Sequence, residues 1–207
     1  MTLPAPATAK GAHTRDMLLG CACQLAARVG LEGVSIGDLA SAAGMSKSGV
    51  FAHFGSREDL VRETLEWAAA GFNEAVLVPA LRKPRGMPRL EAIIAGWLEW
   101  ILDHPEGCVF LGAISEYDGR PGPMRDFVTR MMERWREVVE TAVRKALEEG
   151  HLRAGTDPAQ LAFELHGVMY GLHHVRLHVP DAPRLARQAV RDLFDRYRSD
   201  AAATPPR

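Results

Sequence analysis

The stretch that decides the fold is VSIGDLASAAGMSKSGVFAHFGSREDL, at Val34–Leu60. Ser35, Ser46 and Ser56 each stand directly before a segment with helical spacing, and serine is a preferred residue at a helix N-cap. Gly44 lies between the first two segments and permits a sharp change of chain direction. The pattern therefore predicts two short helices joined by a tight turn, with a third helix starting after Ser56.

Two short helices joined by a tight turn that contains glycine form a helix-turn-helix, whose second helix lies in the major groove of DNA. Small residues at the start of that helix let the backbone approach the duplex. Lys47 can reach a phosphate or a guanine edge, Ser48 can hydrogen-bond to either, and Gly49 offers only backbone. Val50 and Phe54, four residues apart, would anchor the helix on its own domain. The alternative is a helical hairpin without a DNA role.

The composition is that of a globular protein large enough to bury a core. The chain has 207 residues, 47% of them hydrophobic and 25% charged, with a formal net charge of -1. No apolar run approaches the roughly 20 residues that span a bilayer. Three cysteines without framework spacing indicate reduced thiols, so we expect a cytoplasmic protein without a membrane partner. Residues 1–62 carry six basic and five acidic residues, a weak balance for a nucleic-acid domain.

The remainder of the chain also has the spacing of helices. Apolar residues recur at intervals of three and four in Thr14–Val29, Met124–Gly150, Asp157–Val179 and Asp181–Arg198. No segment shows the alternation that is typical of a β-strand. We therefore predict an all-α fold.

At Val34–Leu60 the chain resembles the tetracycline-repressor (TetR) family of bacterial regulators in the order, spacing and type of its residues. The resemblance covers about the first third of the chain. It implies a three-helix DNA-binding domain, a connecting fourth helix, and a C-terminal domain that binds a ligand and dimerises. We accordingly expect a disordered arm at residues 1–11, a helix-turn-helix DNA-binding domain at 12–58, a ligand-binding and dimerisation domain at 59–199, and a disordered tail at 200–207.

The resemblance also implies DNA contacts for residues that match the family's motif. Ser35 matches a capping hydroxyl that can touch the DNA backbone, His53 a histidine on the phosphate side, and Arg57 the basic residue that starts the fourth helix. Phe51 matches a position commonly held by tyrosine, whose hydroxyl contacts a phosphate, and phenylalanine cannot make that bond. The predicted DNA-binding residues are Ser35, Ser46, Lys47, Ser48, Gly49, Phe51, His53 and Arg57.

We expect the effector pocket among the C-terminal helices, reached from the connecting helix through Trp67 and Phe72. Aromatic residues there would suit a mostly apolar small molecule, although each could also be plain core. Effector binding is expected to swing the connecting helix and to move two recognition helices away from a groove spacing of about 34–36 Å. The predicted ligand-binding residues are Trp67, Trp97, Trp100, Phe110, Trp135, His166, Tyr170 and His173.

Operators of such regulators are near-palindromic double-stranded DNA, so we expect a homodimer. The last two helical segments carry apolar stripes that suit a four-helix bundle with a partner chain. The alternative is that these stripes face only the chain's own core. The predicted dimer residues are Leu161, Leu165, Val168, Leu172, Val190, Leu193 and Phe194.

Metal binding and catalysis have little support in the sequence. His174 and His178 have the i, i+4 spacing of a metal-binding pair, but no HExxH arrangement accompanies them. We expect no metal, no cofactor and no enzymatic activity. The favoured interpretation is a ligand-responsive transcriptional repressor. The alternative is a helical protein that binds a small molecule or a metal, or an enzyme, and that retains a helix-turn-helix.

Overall fold

The computed structural model describes residues 9–199, and helices account for most of them. The helices are α1 (Ala9–Val29), α2 (Ile36–Ala42), α3 (Lys47–Phe54), α4 (Arg57–Phe72), a π-helical turn (Asn73–Leu77), α5 (Val78–Leu81), α6 (Met87–Asp103), α7 (Val109–Tyr117), α8 (Pro123–Glu148), α9 (Pro158–Val175) and α10 (Ala182–Tyr197). Within the described range, β-type pairing is limited to an isolated bridge between Leu152 and Arg198. The predicted all-α fold is confirmed.

The predicted arm and tail fall largely outside the described residues. Nothing is described for residues 1–8 or 200–207. Residues 9–11, which were expected in the arm, form the start of α1. This helix therefore begins before Thr14, the first residue of the predicted segment.

The chain divides into two compact units. The first comprises residues 9–71 and 106–128, and the second comprises residues 72–105 and 129–199. This division differs from the predicted boundary between residues 58 and 59, because α4 up to Gly71 belongs to the first unit. The α7 segment also joins the first unit, although it is remote in sequence.

Three serine caps shape the helix-turn-helix. The Oγ atoms of Ser35, Ser46 and Ser56 accept hydrogen bonds from backbone N–H groups three residues later, at 3.1, 3.1 and 3.0 Å. Such a bond satisfies a donor that the start of a helix leaves open. Gly44 has a φ of 64° and Gly55 a φ of 73°, which a side chain would strain. The predicted caps and turn are confirmed.

The core of the first unit joins α1 to the helix-turn-helix and α4. Contacts connect α1 with α2, α2 with α3, and α1 with α7. Burial of leucine, valine and phenylalanine side chains supplies most of the stabilisation in such a core. Fully or almost fully buried apolar residues of this unit are Leu18, Ala22, Leu31, Leu39, Val50, Phe54, Leu60 and Leu65.

In the second unit, α6 and α9 run through the core, and α10 packs on α9. The π-helical turn packs closely on α6, where an added Cβ on Gly96 would lie 3.2 Å from Val76 Cγ1. Pro79 lies in α5, which continues directly from the π-helical turn, and without an N–H it cannot donate to the preceding turn of the helix. Apolar residues at the centre of this unit are Leu90, Ile94, Ile101, Leu161, Leu165 and Met169.

Candidate DNA-binding surface and effector region

The start of α3 is an exposed, capped helix end. Ser46, Lys47 and Ser48 are exposed, whereas Val50 and Phe54 on the other side of the helix are buried. The hydroxyl oxygens of Ser46 and Ser48 lie 3.2 Å apart. The buried pair holds the helix on its unit, and the small polar residues leave the helix end open to approach.

Lys47 lies across Gly37, a residue of α2. A Cβ on Gly37 would lie 3.1 Å from Lys47 Cε, 3.4 Å from Lys47 Nζ and 3.5 Å from Ser35 Oγ. Ser35 and Lys47, which were predicted separately, are therefore brought to one surface. Gly37 was not among the predicted site residues. Its only signal in the sequence is that a glycine stands two positions after the N-cap.

Phe51 and His53 differ in their surroundings. The Phe51 side chain is 54% exposed but has no polar atom with which to bind a phosphate. His53 is half-buried, its ring lies 6.3 Å from that of Phe54, and its carbonyl accepts a hydrogen bond from Arg15. The Arg15 guanidinium also lies 5.1 Å from the Phe54 ring centre and pairs with Glu63. These contacts fix the C-terminal end of α3 rather than a base-reading surface.

Arg57 binds the loop between α1 and α2, and its DNA contact stays a prediction. Its Nε donates to the carbonyl of Val34 at 3.1 Å, and its Nη2 donates to the carbonyls of Leu31 and Glu32 at 3.1 and 2.8 Å. These bonds hold the loop between α1 and α2. An arginine so engaged positions the helix-turn-helix and has few donors left for phosphate. The sequence shows only a basic residue at the start of a helix. It does not show whether that residue binds DNA or the chain's own loop.

Glu32 is the centre of a polar network that fastens the same loop. The Tyr117 hydroxyl donates to Glu32 Oε1 at 2.6 Å, and Arg57 and Arg120 lie 3.6 and 3.4 Å from Glu32 Oε2. Tyr117's hydrogen bond is the main cause that lowers the pKa of Glu32, with the two arginines adding to it against the opposing effect of burial. Burial, followed by the bond to Glu32, raises the pKa of Tyr117.

Glu116 adds a second carboxylate to this polar network. It accepts the backbone N–H groups of Leu31 and Glu32 at 2.9 and 2.8 Å. Hydrogen bonds between a carboxylate and backbone N–H groups are stronger than neutral ones. The α7 segment therefore holds the loop ahead of α2 through both Glu116 and Tyr117.

In the second unit, five predicted ligand-binding residues belong to one aromatic cluster with Phe72. Trp97 meets Trp135 and His166 edge to face, with ring centres 5.1 and 4.9 Å apart, and Phe72 meets Trp135 at 4.7 Å. These are favourable geometries for aromatic pairs. The members of the cluster are Phe72, Trp97, Trp100, Trp135, His166 and Tyr170.

Several buried nitrogens in or near this cluster have no hydrogen-bond partner among the described residues. They are Trp135 Nε1, His166 Nε2 and His173 Nδ1. Leaving a buried polar group unpaired costs about 1–3 kcal/mol, so such groups in a folded protein call for an explanation. Burial is the main cause that lowers the pKa of His166 and brings that of His173 to about 4. Both rings are therefore neutral near pH 7.

The other predicted ligand-binding residues lie elsewhere. Trp67 and Phe110 belong to the first unit, where Trp67 Nε1 donates to Asp16 Oδ1 at 2.6 Å. Trp67 thus has a structural role in fastening α4 to α1. His173 is in the second unit on α9, about two turns beyond His166.

A separate groove of about 550 Å³ lies between α5, α6 and α8 of the second unit, and none of the predicted aromatic residues lines it. Its floor is apolar, with residues such as Leu81, Ile93 and Val138. Arg89 and Arg134 also line it. This groove is distinct from the aromatic cluster.

The predicted dimer residues are largely covered within the single chain, and their role in a dimer stays a prediction. Leu161, Leu165, Leu172, Leu193 and Phe194 are buried inside the single chain, and Val168 and Val190 are half-buried. The stripes on α9 and α10 therefore face mainly the chain's own core, which was the alternative interpretation. Apolar residues that recur at alternating intervals of four and three indicate a buried helix face. They do not indicate which neighbour buries that face.

An apolar surface is exposed on the outer side of α9. Phe163 and Leu177 are 73% and 77% exposed, and Cβ atoms added to Gly167 and Gly171 would meet nothing within 4 Å. Phe163, Gly167 and Gly171 are spaced four apart and share one helix face. We call the set of Phe163, Gly167 and Gly171 the α9 outer surface.

Residues 9–199 include histidines, acidic residues and three cysteines. In that range no group of three or more histidine, cysteine or acidic residues is placed to hold a metal ion, and His174 and His178 are exposed. Cys21, Cys23 and Cys108 form no disulfide with one another. No helix in the described part of the chain is long and apolar enough to cross a membrane.

The capped helix-turn-helix, with the exposed start of α3 in an all-α chain, defines a DNA-binding regulator of the helix-turn-helix class. Two family descriptions match the sequence: "Bacterial regulatory proteins, tetR family" at residues 18–64, and "Tetracyclin repressor-like, C-terminal domain" at residues 86–198. The chain therefore belongs to the TetR family of transcriptional regulators. A search of curated proteins finds none that matches.

Solved structures show the same fold. A TetR regulator from Chloroflexus aurantiacus J-10-FL is 24% identical with a TM-score of 0.80, covering 92% of this chain and 99% of that one. AibR, solved with isovaleryl coenzyme A and operator DNA, is 23% identical with a TM-score of 0.70 over 87% and 98% of the two chains. The ketosteroid regulator KstR2 of Mycobacterium tuberculosis is 19% identical with a TM-score of 0.66 over 90% and 95%.

Proposed function

We propose that this TetR-family regulator is a repressor that binds a near-palindromic operator as a homodimer and is released by a small, mostly apolar effector. The observation that carries the proposal is the start of α3, where Ser46, Lys47 and Ser48 are exposed on a capped helix end. In a helix-turn-helix, the N-terminal residues of the second helix meet base edges in the major groove.

On DNA, each residue of this surface has a different task. Lys47 supplies the charge that neutralises a phosphate or binds a guanine edge, and Ser46 and Ser48 offer hydroxyls. Ser35, which lies beside Lys47 across Gly37, binds the DNA backbone. With Phe51 unable to bind phosphate and few side chains available for bases, the shape of the operator contributes to specificity.

For the dimer, we assign the partner-facing role to the α9 outer surface. Burying the 73% exposed Phe163 side chain against a partner would stabilise such an interface. Gly167 and Gly171 leave open space beside Phe163, which lets a second helix approach closely. A two-fold dimer through this surface presents two copies of α3 to a palindrome.

For the effector, we assign the aromatic cluster of the second unit. Aromatic walls with a few polar atoms are the usual lining of small-molecule sites. AibR, which is bound to both isovaleryl coenzyme A and operator DNA, is an example of this fold joining the two kinds of binding. Effector binding here shifts the population towards a conformer with low operator affinity.

The test starts from genomic DNA fragments that the protein selects, which identify the operator. Binding of the selected operator is then measured by fluorescence anisotropy over a series of salt concentrations. Lys47→Ala should weaken binding and reduce the slope of log K against log salt by about one phosphate contact. Lys83→Ala, on the loop after α5, is the control and should leave both unchanged. An unchanged slope for Lys47→Ala would remove Lys47 from the interface.

The sign of regulation needs a separate measurement. A reporter gene placed behind the selected operator should be less expressed when the protein is present, and Lys47→Ala should restore its expression. Higher expression with the intact protein would make it an activator instead.

A further inference from the structure

We propose that the groove between α5, α6 and α8 binds a small amphipathic anion, with a straight aliphatic chain on its floor and a carboxylate against Arg134. The groove has a volume of about 550 Å³, which is within the range of small-molecule sites. All of its lining residues belong to the second unit, and none belongs to the aromatic cluster. The proposal therefore goes beyond the effector role assigned to that cluster, and it depends neither on that role nor on operator binding.

The floor of the groove is aliphatic. It is formed by Leu77, Leu81, Ile93, Val138 and Ala142, and none of the described residues that line the groove is aromatic. Leu81 is 56% exposed although it is large and apolar. A hydrocarbon chain lying on this floor would remove that surface from water, and each methylene that it buries adds to binding. A flat aromatic guest would find no ring on which to stack.

The charged residues along the groove favour an anionic guest. Among the described residues that line it, Arg89, Arg134 and Lys145 are positively charged, and Glu137 supplies a single carboxylate. This excess of positive charge attracts an anion and repels a cation. A guest with an apolar chain and one negative charge therefore complements both the floor and the charged residues.

Arg134 is the cation most available to such a guest. Lys145 Nζ pairs with Glu148 at 3.0 Å, and Arg89 donates from Nε and Nη2 to the carbonyl of Lys83 at 3.3 and 3.0 Å. Within residues 9–199, the exposed guanidinium of Arg134 has neither an ion pair nor a hydrogen bond. A guanidinium can donate two parallel hydrogen bonds to one carboxylate, so the head of the guest binds Arg134.

Four probes separate the charge of the guest from its chain: octanoate, 1-octanol, octyltrimethylammonium and butyrate. Binding of each to the full chain is measured by isothermal titration calorimetry at pH 7 and low salt. We expect octanoate to bind about tenfold more tightly than the alcohol or the ammonium, because it alone of these three pairs with the cations. It should also bind at least about tenfold more tightly than butyrate, whose chain buries fewer methylenes.

Variants of α8 test the charges. Arg134→Met keeps an apolar stem but removes the guanidinium, so it should weaken octanoate binding about three- to tenfold and leave octanol binding unchanged. Glu137→Gln removes the opposing carboxylate with little change of shape, so it should strengthen octanoate binding about twofold. Arg136→Met is the matched control, since it removes the same charge from α8 outside the groove lining. It should leave both probes unchanged.

Leu81→Ser tests the floor. It removes exposed apolar surface from the groove, so it should weaken octanoate and octanol by the same factor. Sedimentation velocity should show the same oligomeric state for this variant as for the parent. A change from dimer to monomer in Leu81→Ser would show that a second copy of the chain covers the groove, and it would overturn the proposal.

Three further results would overturn the proposal. They are tighter binding of the ammonium than of octanoate, equal losses of octanoate binding in Arg134→Met and Arg136→Met, and no octanoate binding at millimolar concentration. Operator binding by the unliganded protein is the separate check on the proposed function. Failure of octanoate binding with operator binding retained leaves the DNA-binding regulator intact, whereas absence of operator binding overturns the regulator and leaves the groove as a ligand site.

Discussion

At the scale of single residues, Gly37 and Lys47 link helix stability to the proposed recognition of DNA. Glycine in a helix is less stable than alanine by roughly 0.5–1 kcal/mol. Gly37 nevertheless occupies a helical position in α2, where it leaves the space over which Lys47 extends. The missing Cβ thus keeps Lys47 beside Ser35 on the surface that we propose faces DNA.

Gly37→Ala should therefore raise stability while it lowers operator affinity. The added Cβ would lie 3.1 Å from Lys47 Cε, so the lysine must move, whereas α2 gains roughly 0.5–1 kcal/mol of helix propensity. Urea unfolding and operator titrations on the same sample measure the two effects. In a Lys47→Ala background, Gly37→Ala should have no further effect on affinity. An equal loss of affinity in both backgrounds would show that Gly37 acts independently of Lys47.

The Tyr117–Glu32 hydrogen bond makes a pH-dependent contribution to stability. Because the pKa of Glu32 is lowered in the folded chain from its usual 4.5, its stabilisation is present above that value and is lost as pH falls through the folded pKa. Tyr117→Phe should destabilise the protein by about 1 kcal/mol near pH 7, a value kept small because Glu32 is well exposed. The difference from the parent should shrink below pH 4.5.

Urea unfolding at a series of pH values measures this effect. Tyr197→Phe is the control, since it removes a Tyr–Glu hydrogen bond of 2.9 Å in the other unit. It should leave the pH dependence that Glu32 sets unchanged. A Tyr117→Phe deficit that stays constant down to acidic pH would mean that lost packing, rather than the Glu32 bond, accounts for the effect.

At the scale of helices, local signals were predictable from sequence, whereas the partners of each helix were not. Ser46 and Gly44 act through atoms within a few residues, so their pattern alone predicts the cap and the turn. Leu165 lies on a stripe that sequence assigns to a buried face, but burial by α10 and burial by a partner chain leave the same pattern. Phe163 is the reverse case, because a single apolar residue off the stripe carries no periodic signal.

Phe163→Glu and Leu165→Ala should therefore have opposite consequences. Glu at the exposed position 163 should give folded monomers, because a charge buried at an apolar interface loses its water without a partner. Leu165→Ala should leave the dimer intact but destabilise the chain by about 2–5 kcal/mol, because it opens a cavity in the core. Sedimentation velocity and thermal unfolding separate the two outcomes. Dimers of Phe163→Glu at micromolar concentration would overturn the α9 outer surface as the interface.

At the scale of the whole molecule, the contacts of the α7 segment with the loop ahead of α2 could not be predicted from the sequence. Glu116 binds the backbone of Leu31 and Glu32 across about 85 positions of sequence. Nothing within either segment encodes that pairing, because hydrogen bonds between a side chain and a distant backbone have no periodicity. The family's division into a DNA-binding and a ligand-binding part was predictable. The inclusion of residues 106–128 in the first unit was not.

The proposed dimer requires a fixed spacing between the two half-sites of the operator. Two copies of α3 related by a two-fold axis meet successive major grooves about 34–36 Å apart, roughly one helical turn of DNA. Inserting five base pairs between the half-sites places them on opposite faces of the duplex, so the intact protein should lose most of its affinity. Phe163→Glu monomers bind one half-site at a time, so their weak affinity should be unaffected by the insertion. Anisotropy titrations of both proteins on both DNAs measure this difference. If the intact protein tolerates the insertion as well as the monomer does, each α3 binds DNA independently, and the palindrome reflects two separate binding events rather than one dimer.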